Sequence, residues 1–314
     1  MAANKKTRIV SLVITDLDDT IWDWLGMWYN SFQPYFNNIQ KLAGIKPSEL
    51  KSDFKRLHQK YNTSEVSFAY KELKTLSRKH KREIGRENSK PSIIHQYYKD
   101  KKENLRLCEG VKETLYELKA KGVKLIGFTE SNSFYTKYRI KTLDLDGIFD
   151  KIYTPDDHGL PSSVKRYYRD EYRESVFTDY NVLPKDTKKP NPKMLLQIIK
   201  DVGGNIEKAI YVGDKLDRDV YMANQAGITS VYAKYGNNIE DKSYGLLREV
   251  TQWKDNDVNR EIEFKKNIKN LKINPDFEIN NFAEILDNFQ FAEFDVKSTN
   301  EDKKECNRNL EKYY

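Results

Sequence analysis

Residues 8–15 form a short run of apolar and β-branched positions without polar alternation, the pattern of a strand buried on both faces. The run ends in an acidic cluster, Asp16, Asp18 and Asp19, followed by Thr20. Beyond Thr20 the period changes. Leu25, Trp28, Tyr29, Phe32, Tyr35 and Phe36 recur at three- and four-residue spacing, and helical periodicity persists to about Leu105. Pro47 and Ser48 mark a helix start, with Leu50, Phe54 and Leu57 on one face. Ser64 is expected to cap another helix, carrying Val66, Tyr70 and Leu73, and Pro91 to open a further one. The pattern predicts a helical insert of about 85 residues.

Strand and helix periods then alternate. Residues 110–121 read as an amphipathic helix closed by Gly122, and 123–129 as a second buried strand. Residues 134–143 read as helix, 151–154 as a short strand before Pro155, and 194–202 as a helix stopped by Gly203 and Gly204. A strand over 209–212 leads into Gly213 and Asp214, a helix over 220–226 ends at Gly227, and 229–233 is a further strand. Such alternation predicts an α/β fold, a doubly wound parallel sheet covered on both faces. Residues 158–188 and 237–272 are long connections outside the pattern, the second expected to be helical over 246–271. Residues 291–314 form a polar tail, expected to attach loosely from about Val296.

Composition narrows the class. The 314 residues are 38 % hydrophobic and 33 % charged, which is polar, yet 14 Phe, 21 Tyr and 4 Trp supply a core. Cys108 and Cys306 lie far apart, which argues against a disulfide framework or zinc site and for a reducing, cytoplasmic setting. No run of eighteen apolar residues predicts a membrane span, and residues 9–15 are too short for a signal core. His58, His80, His95 and His158 show no metal-ligand spacing. The net charge is +7, and residues 21–107 hold 18 Lys and Arg against 9 Asp and Glu. A basic segment could draw anionic substrates, a phosphoprotein or nucleic acid, or be no more than a solvated helical surface.

Four features at expected strand ends carry candidate chemistry. Asp16, Leu17, Asp18, Asp19 and Thr20 follow the first strand, where open α/β sheets place ligands. Asp16 and Asp18 face the same way if the strand direction holds for two residues, and paired carboxylates call for a hard cation such as Mg²⁺. Thr129 ends the second strand with a hydroxyl able to donate to a phosphoryl oxygen. Lys189, before Pro190, Asn191 and Pro192, offers a compact positive charge just ahead of a helix, with Lys188 as the alternative register. Gly213 and Asp214 follow another strand; Asp214 is a candidate third ligand, and Asp219 lies at the next helix start, supporting the site from behind. Individually, each has a bland reading as a turn, cap or loop residue.

Taken in order, the set resembles the haloacid dehalogenase-like hydrolases, whose motifs are DxDx[TV] after a strand, Thr or Ser ending a strand, a basic residue before a helix, and GDxxxxD after a strand. The resemblance covers roughly residues 8–20 and 108–290 and extends to Glu109-Gly110-Val111 and Gly227-Ile228. It implies a catalytic core of residues 1–21 and 108–290 with a helical cap over 22–107. It also implies that Asp16 is a nucleophile forming an aspartyl-phosphate and that Asp18 is the general acid and base. Thr129 and Lys189 would bind the phosphoryl group. Mg²⁺ would be held by the side chains of Asp16 and Asp214 and the backbone carbonyl of Asp18. The dehalogenases and phosphonate-cleaving members lack an aspartate at the position of Asp18, so its presence favours phosphate esters. The expected activity is Mg²⁺-dependent hydrolysis of a small phosphomonoester. A phosphomutase acting on a sugar phosphate and a non-catalytic binding protein on the same fold are the alternatives. Glu130 departs from the pattern, since a carboxylate beside Thr129 would repel a phosphate or meet a cationic part of the substrate.

Overall fold

The computed structural model describes residues 8–86, 92–157, 177–185, 187–237, 241–253 and 273–295. Its strands are β1 (Ile9–Val10), β2 (Leu12–Thr15), β3 (Lys124–Phe128), β4 (Lys151–Pro155), β5 (Asp179–Leu183), β6 (Ala209–Gly213), β7 (Thr229–Ala233), β8 (Phe277–Ile279) and β9 (Gln290–Phe291). Among the described residues, seven of them form one parallel sheet in the order β5-β4-β3-β2-β6-β7-β8, while β1 pairs separately with β9. Central β2 is buried at every position and lies between β3 and β6, with Thr15 opposite Gly127 on one side and Val212 on the other. Alternation along it feeds two apolar clusters: Val13 packs with Leu115, Leu125 and Ile152, whereas Leu12 and Ile14 pack with Leu195, Ile199 and Met222.

The strand order also locates a crevice. From β2 the chain steps outward through β3 and β4 to β5, then returns to place β6 against the other side of β2. The reversal leaves the carboxyl ends of β2, β3 and β6 side by side at a topological switch point.

The insert contains α1 (Trp24–Ala43), α2 (Pro47–Tyr61), α3 (Arg78–Ile84) and α4 (Ile93–Asn104). Trp28, Phe32, Tyr35, Phe36, Phe54, Leu57 and Tyr97 form its own buried cluster, each such side chain contributing about 1.5–3 kcal/mol of transfer free energy. The chain leaves and re-enters the sheet region at one junction. There Cys108 N donates to Ile21 O at 2.9 Å, Asp23 N donates to Arg106 O at 3.0 Å, and Trp22 bridges Leu107. Around the sheet lie α5 (Val111–Ala120), α6 (Ser133–Thr142), α7 (Pro192–Asp201) and the short α8 (Tyr221–Gln225); α9 (Asp241–Val250) and α10 (Ile285–Asn288) follow in the chain.

Several expectations are corrected. Ser64 caps no helix: Phe68 adopts a left-handed φ of 54°, and only a 3₁₀ turn over Ala69–Lys71 follows. The next helix is α3, where Ser77 accepts from His80 N; Ser92 caps α4 in the same way by accepting from His95 N, while Pro91 lies outside the described residues. The connection 158–188 contains an edge strand, β5, whose mixed exposure hid it; its residues 158–176 and 186 lie outside the described set. Within 237–272 a helix runs from Asp241 to Val250, starting before the expected 246, and 251–253 are not helical; residues 254–271, the rest of the expected span, lie outside the described residues. It packs against α1 and α2, so the insert is closed by a helix from much later in the chain. The first residues of the polar tail, 291–295, pair with the core, Ala292 N donating to Val10 O at 3.0 Å and Phe294 N to Gly122 O at 2.9 Å; residues 296–314, where loose attachment is expected, lie outside the described residues. Among the described residues no helix is long and apolar enough to cross a membrane.

Candidate active site

The strand ladder of β2 continues one residue past its end, with Asp16 N donating to Val212 O at 2.8 Å. The chain then turns sharply. Leu17 O accepts from Ile21 N at 2.8 Å, and Asp19 takes a left-handed φ of 61°. The turn overrides the alternation assumed for Asp16 and Asp18, whose carboxylates sit among different partners.

Asp16 is buried and faces Lys189, whose Nζ lies 2.5 Å from Asp16 Oδ1 and 2.9 Å from Asp219 Oδ1. Lys189 stands just before α7, which is started by Pro192 and capped by Asn191 Oδ1 accepting from Met194 N at 3.0 Å. Its neighbour Lys188 is exposed, which settles the register. Asp219 Oδ1 also accepts from Tyr211 Oη at 2.9 Å, and its Oδ2 accepts from Lys215 N at 3.1 Å. The carboxylate comes so close to the end of β6 that a Cβ on Gly213 would stand 2.6 Å from Asp219 Oδ2. The glycine therefore serves close approach rather than an unusual φ. Asp214 pairs through Oδ2 with Lys215 Nζ, while its Oδ1 is buried with no hydrogen-bond partner.

Asp16, Asp214 and Asp219 each bring a carboxylate oxygen within 4.8 Å of the other two. Burial pushes Asp16 well above the usual carboxylate range, Asp219 and Asp214 push it further, and Lys189 opposes them. Asp214 is raised as well, by burial and then Asp219, against the pull of Lys215 and Lys189. For Lys189 burial disfavours the charge, but Asp16 and Asp219 outweigh it and hold the ammonium. Three carboxylates against Lys189 and Lys215 leave a deficit of positive charge. With the orphaned Asp214 oxygen, this all-oxygen set suits a hard divalent cation.

Asp18 lies outside that carboxylate group. It accepts from Trp22 Nε1 at 2.6 Å, Ser131 Oγ at 2.5 Å and Arg139 Nη1 at 3.2 Å. Thr129, at the end of neighbouring β3, is buried and accepts from Ser131 N at 3.0 Å through its hydroxyl, leaving that hydroxyl's proton to donate. Asp19 is structural: Oδ1 accepts from Leu25 N at 2.9 Å at the start of α1, and burial raises its pKa to about 7. Glu130 is already neutralised, correcting the expected repulsion: Oε2 accepts from Arg218 Nη1 at 2.9 Å and Oε1 from Lys189 N at 3.2 Å.

Asp16, Lys189, Asp214 and Asp219 are thus brought together, with Thr129 at the adjacent strand end and Asp18 in a neighbouring pocket. Tyr211, Lys215, Ser131, Arg139 and Glu65 were not anticipated. Tyr211 and Lys215 flank Gly213 and Asp214, and Ser131 follows Thr129 by two positions, so proximity to a motif was a usable signal. Arg139 and Glu65 carry no such signal. Of the histidines, His58 is buried with Nδ1 2.5 Å from Val250 O, His80 is partly buried, His95 is exposed, and His158 lies outside the described residues.

The profile of the haloacid dehalogenase-like hydrolases matches residues 10–227. A relative named glyceraldehyde 3-phosphate phosphatase from Pyrococcus furiosus is 28 % identical over 162 residues, covering 50 % of this chain and 56 % of that protein. One of the same name from Methanopyrus kandleri is 32 % identical over 99 residues, covering 32 % of each chain. The matched part therefore spans about half the length, or less, of these relatives. A HAD phosphatase structure from Thermococcus onnurineus aligns with a TM-score of 0.49 and 19 % identity, covering 90 % of this chain and all of that one.

Proposed function

The chain belongs to the haloacid dehalogenase-like hydrolase family, and from that premise we propose that it is a Mg²⁺-dependent phosphatase of small phosphomonoesters. The observation that carries the reading is the buried Asp16 at the switch point, 2.5 Å from Lys189 and grouped with Asp214 and Asp219. An Oδ atom of Asp16 attacks phosphorus, the P–O bond to the leaving group breaks, and an aspartyl-phosphate forms. The departing alkoxide takes its proton from the Asp18 carboxyl. The Asp18 carboxylate then removes a proton from water, which attacks the same phosphorus, frees Asp16 and yields inorganic phosphate. Lys189 and Thr129 bind the phosphoryl oxygens. Mg²⁺ would be held by the side chains of Asp16 and Asp214 and the carbonyl of Asp18, where it screens the negative charge of the phosphate from the carboxylates. Asp219 holds Lys189 and the turn in place, because its oxygens are already taken by Lys189, Tyr211 and Lys215 N.

The helices of residues 22–107 act in this reading as a cap that limits access to the crevice. The relatives named glyceraldehyde 3-phosphate phosphatase put that triose phosphate first among candidate substrates. Phosphate release is to be measured over a panel of phosphorylated metabolites that includes triose and hexose phosphates, with Mg²⁺ and with EDTA. Release that requires Mg²⁺ supports the reading. Isomerisation of a sugar phosphate without net release would replace it by a mutase, and no turnover on any ester would overturn it.

A further inference from the structure

Arg139 links the two parts of the molecule. It projects from α6, is 2 % exposed, and its guanidinium divides between two carboxylates. Nη1 donates to Asp18 Oδ1 at 3.2 Å and to Ser131 Oγ at 3.2 Å, while Nη2 donates to Glu65 Oε2. Glu65 belongs to the insert, between α2 and the 3₁₀ turn, and is itself buried. It also accepts from Lys101 Nζ of α4 at 2.7 Å and from Trp24 Nε1 of α1 at 2.9 Å. Burial disfavours the Glu65 carboxylate, but Arg139 and then Lys101 outweigh it and keep it ionised. The backbone is fixed here too: Tyr135 Oη, one turn before Arg139 on α6, donates to Glu65 O and lies 2.7 Å from Ser67 Oγ. A small cavity beside this network is lined by Met27, Glu65, Lys101, Tyr135, Tyr138 and Arg139.

Burying a guanidinium is costly unless its donors are matched by fixed acceptors. Here two carboxylates on separate parts of the chain share its planar fork, a geometry that a lysine would not reproduce. The second donor to Asp18, Trp22, sits where the insert leaves the sheet region. Asp18 is therefore held from both sides of the junction between insert and sheet.

We propose that Arg139 is a positioning residue that aims the Asp18 carboxyl at the leaving group, and that Glu65 of the insert fixes Arg139 in that role. The inference rests on the reading of Asp18 as the acid. An acid matters most when the leaving group is a strongly basic alkoxide and least when it is a weakly basic phenoxide, so misplacing it must affect the two unequally.

The test compares glycerol phosphate with p-nitrophenyl phosphate as substrates of the full chain with Mg²⁺. Asp18→Asn sets the scale, with a larger loss of kcat on the alkyl ester. Arg139→Lys is expected to lower kcat on the alkyl ester about tenfold more than on the aryl ester, with KM for each changed by less than about twofold. Glu65→Gln is expected to give the same selective loss at smaller size, and the double variant to add little to Arg139→Lys, as for residues acting in series. An equal fall on both esters in a folded variant would overturn the proposal while leaving the acid assignment intact. Should Arg139→Lys not fold, Glu65→Gln decides alone, because Arg139 is the contact it shares with Asp18. If Asp18→Asn itself leaves the alkyl-to-aryl ratio unchanged, the acid assignment fails and the proposal falls with it.

Discussion

Asp16 and Asp18 lie two residues apart and occupy different electrostatic settings. Around Asp16 the excess is negative: Asp214 and Asp219 crowd it, and Lys189 is the cation that touches it. The hydrogen-bond partners that hold the Asp18 carboxylate are donors, Trp22, Ser131 and Arg139, and Arg139 ties it to a further carboxylate, Glu65. The first pocket is built from the ends of β2 and β6, the loop before α7 that carries Lys189 and the helical turn that carries Asp219, and it asks for a cation. The second is built across the junction with the helical insert and asks for a fixed orientation. One short turn at Leu17, with Asp19 in the left-handed region, separates the two settings. Neighbouring residues of one type are thus set apart by the partners that the fold brings to each, as the proposed division into nucleophile and acid requires.

The sharpest break of that comparison is Asp16→Asn, which removes the proposed nucleophile without changing volume. Hydrolysis of alkyl and aryl phosphates alike is expected to fall by at least about three orders of magnitude, read by phosphate release, while circular dichroism shows the fold retained. Equal activity in this variant would remove the basis for distinguishing the pockets. Lys189→Met comes next. It strands Asp16 and Asp219 without their cation, and breaking a buried pair is expected to cost about 3–5 kcal/mol in urea denaturation besides loss of turnover.

A metal-binding difference is smaller. Mg²⁺ at a hundredfold excess over its dissociation constant should stabilise the wild-type chain by about 2.7 kcal/mol, seen as a higher melting temperature. Asp214→Asn, which alters the orphaned acceptor, is expected to lose most of that gain. The same substitution at Asp219, already saturated by donors, should lose less of it; the reverse ranking would exchange their roles.

The smallest effect lies outside both pockets, at His58 between α2 and α9. Burial pushes this ring down to about 4, so it is neutral in the folded chain well below the pH at which the unfolded chain takes up a proton. Stability contributed by the neutral ring is complete above the unfolded value near 6.5 and is lost as pH falls toward 4. His58→Asn keeps a donor toward Val250 O and removes this titration. Between pH 7 and 5 the wild type should therefore lose about 2 kcal/mol more than the variant in denaturant melts.

Much of this molecule can be read along the chain. Short unbroken apolar runs marked β2, β3, β6 and β7, and three- and four-residue spacing marked α1 and α2, because each such element buries its pattern locally against a large apolar surface. Asp16 and Asp214 were legible because they sit immediately past strand ends, where backbone direction alone delivers them to the crevice, and Lys189 because it stands just before a helix started by Pro192. Weakly patterned pieces were not legible. Edge strand β5 has mixed exposure, β8 is three residues long, and residues 64–68 dock through Tyr135 and Arg139 rather than through any repeat of their own. The sequence by itself determined the parallel α/β core, the helical insert and the order of the acidic and basic motifs. Only the tertiary structure decided that Asp16 and Asp18 part company, that Glu130 is absorbed by Arg218, and that Arg139 joins Asp18 to Glu65. Periodicity reports burial of a residue against its own element's neighbours. Buried ion pairs join side chains such as Arg139 and Glu65, 74 residues apart, whose meeting depends on how whole elements dock.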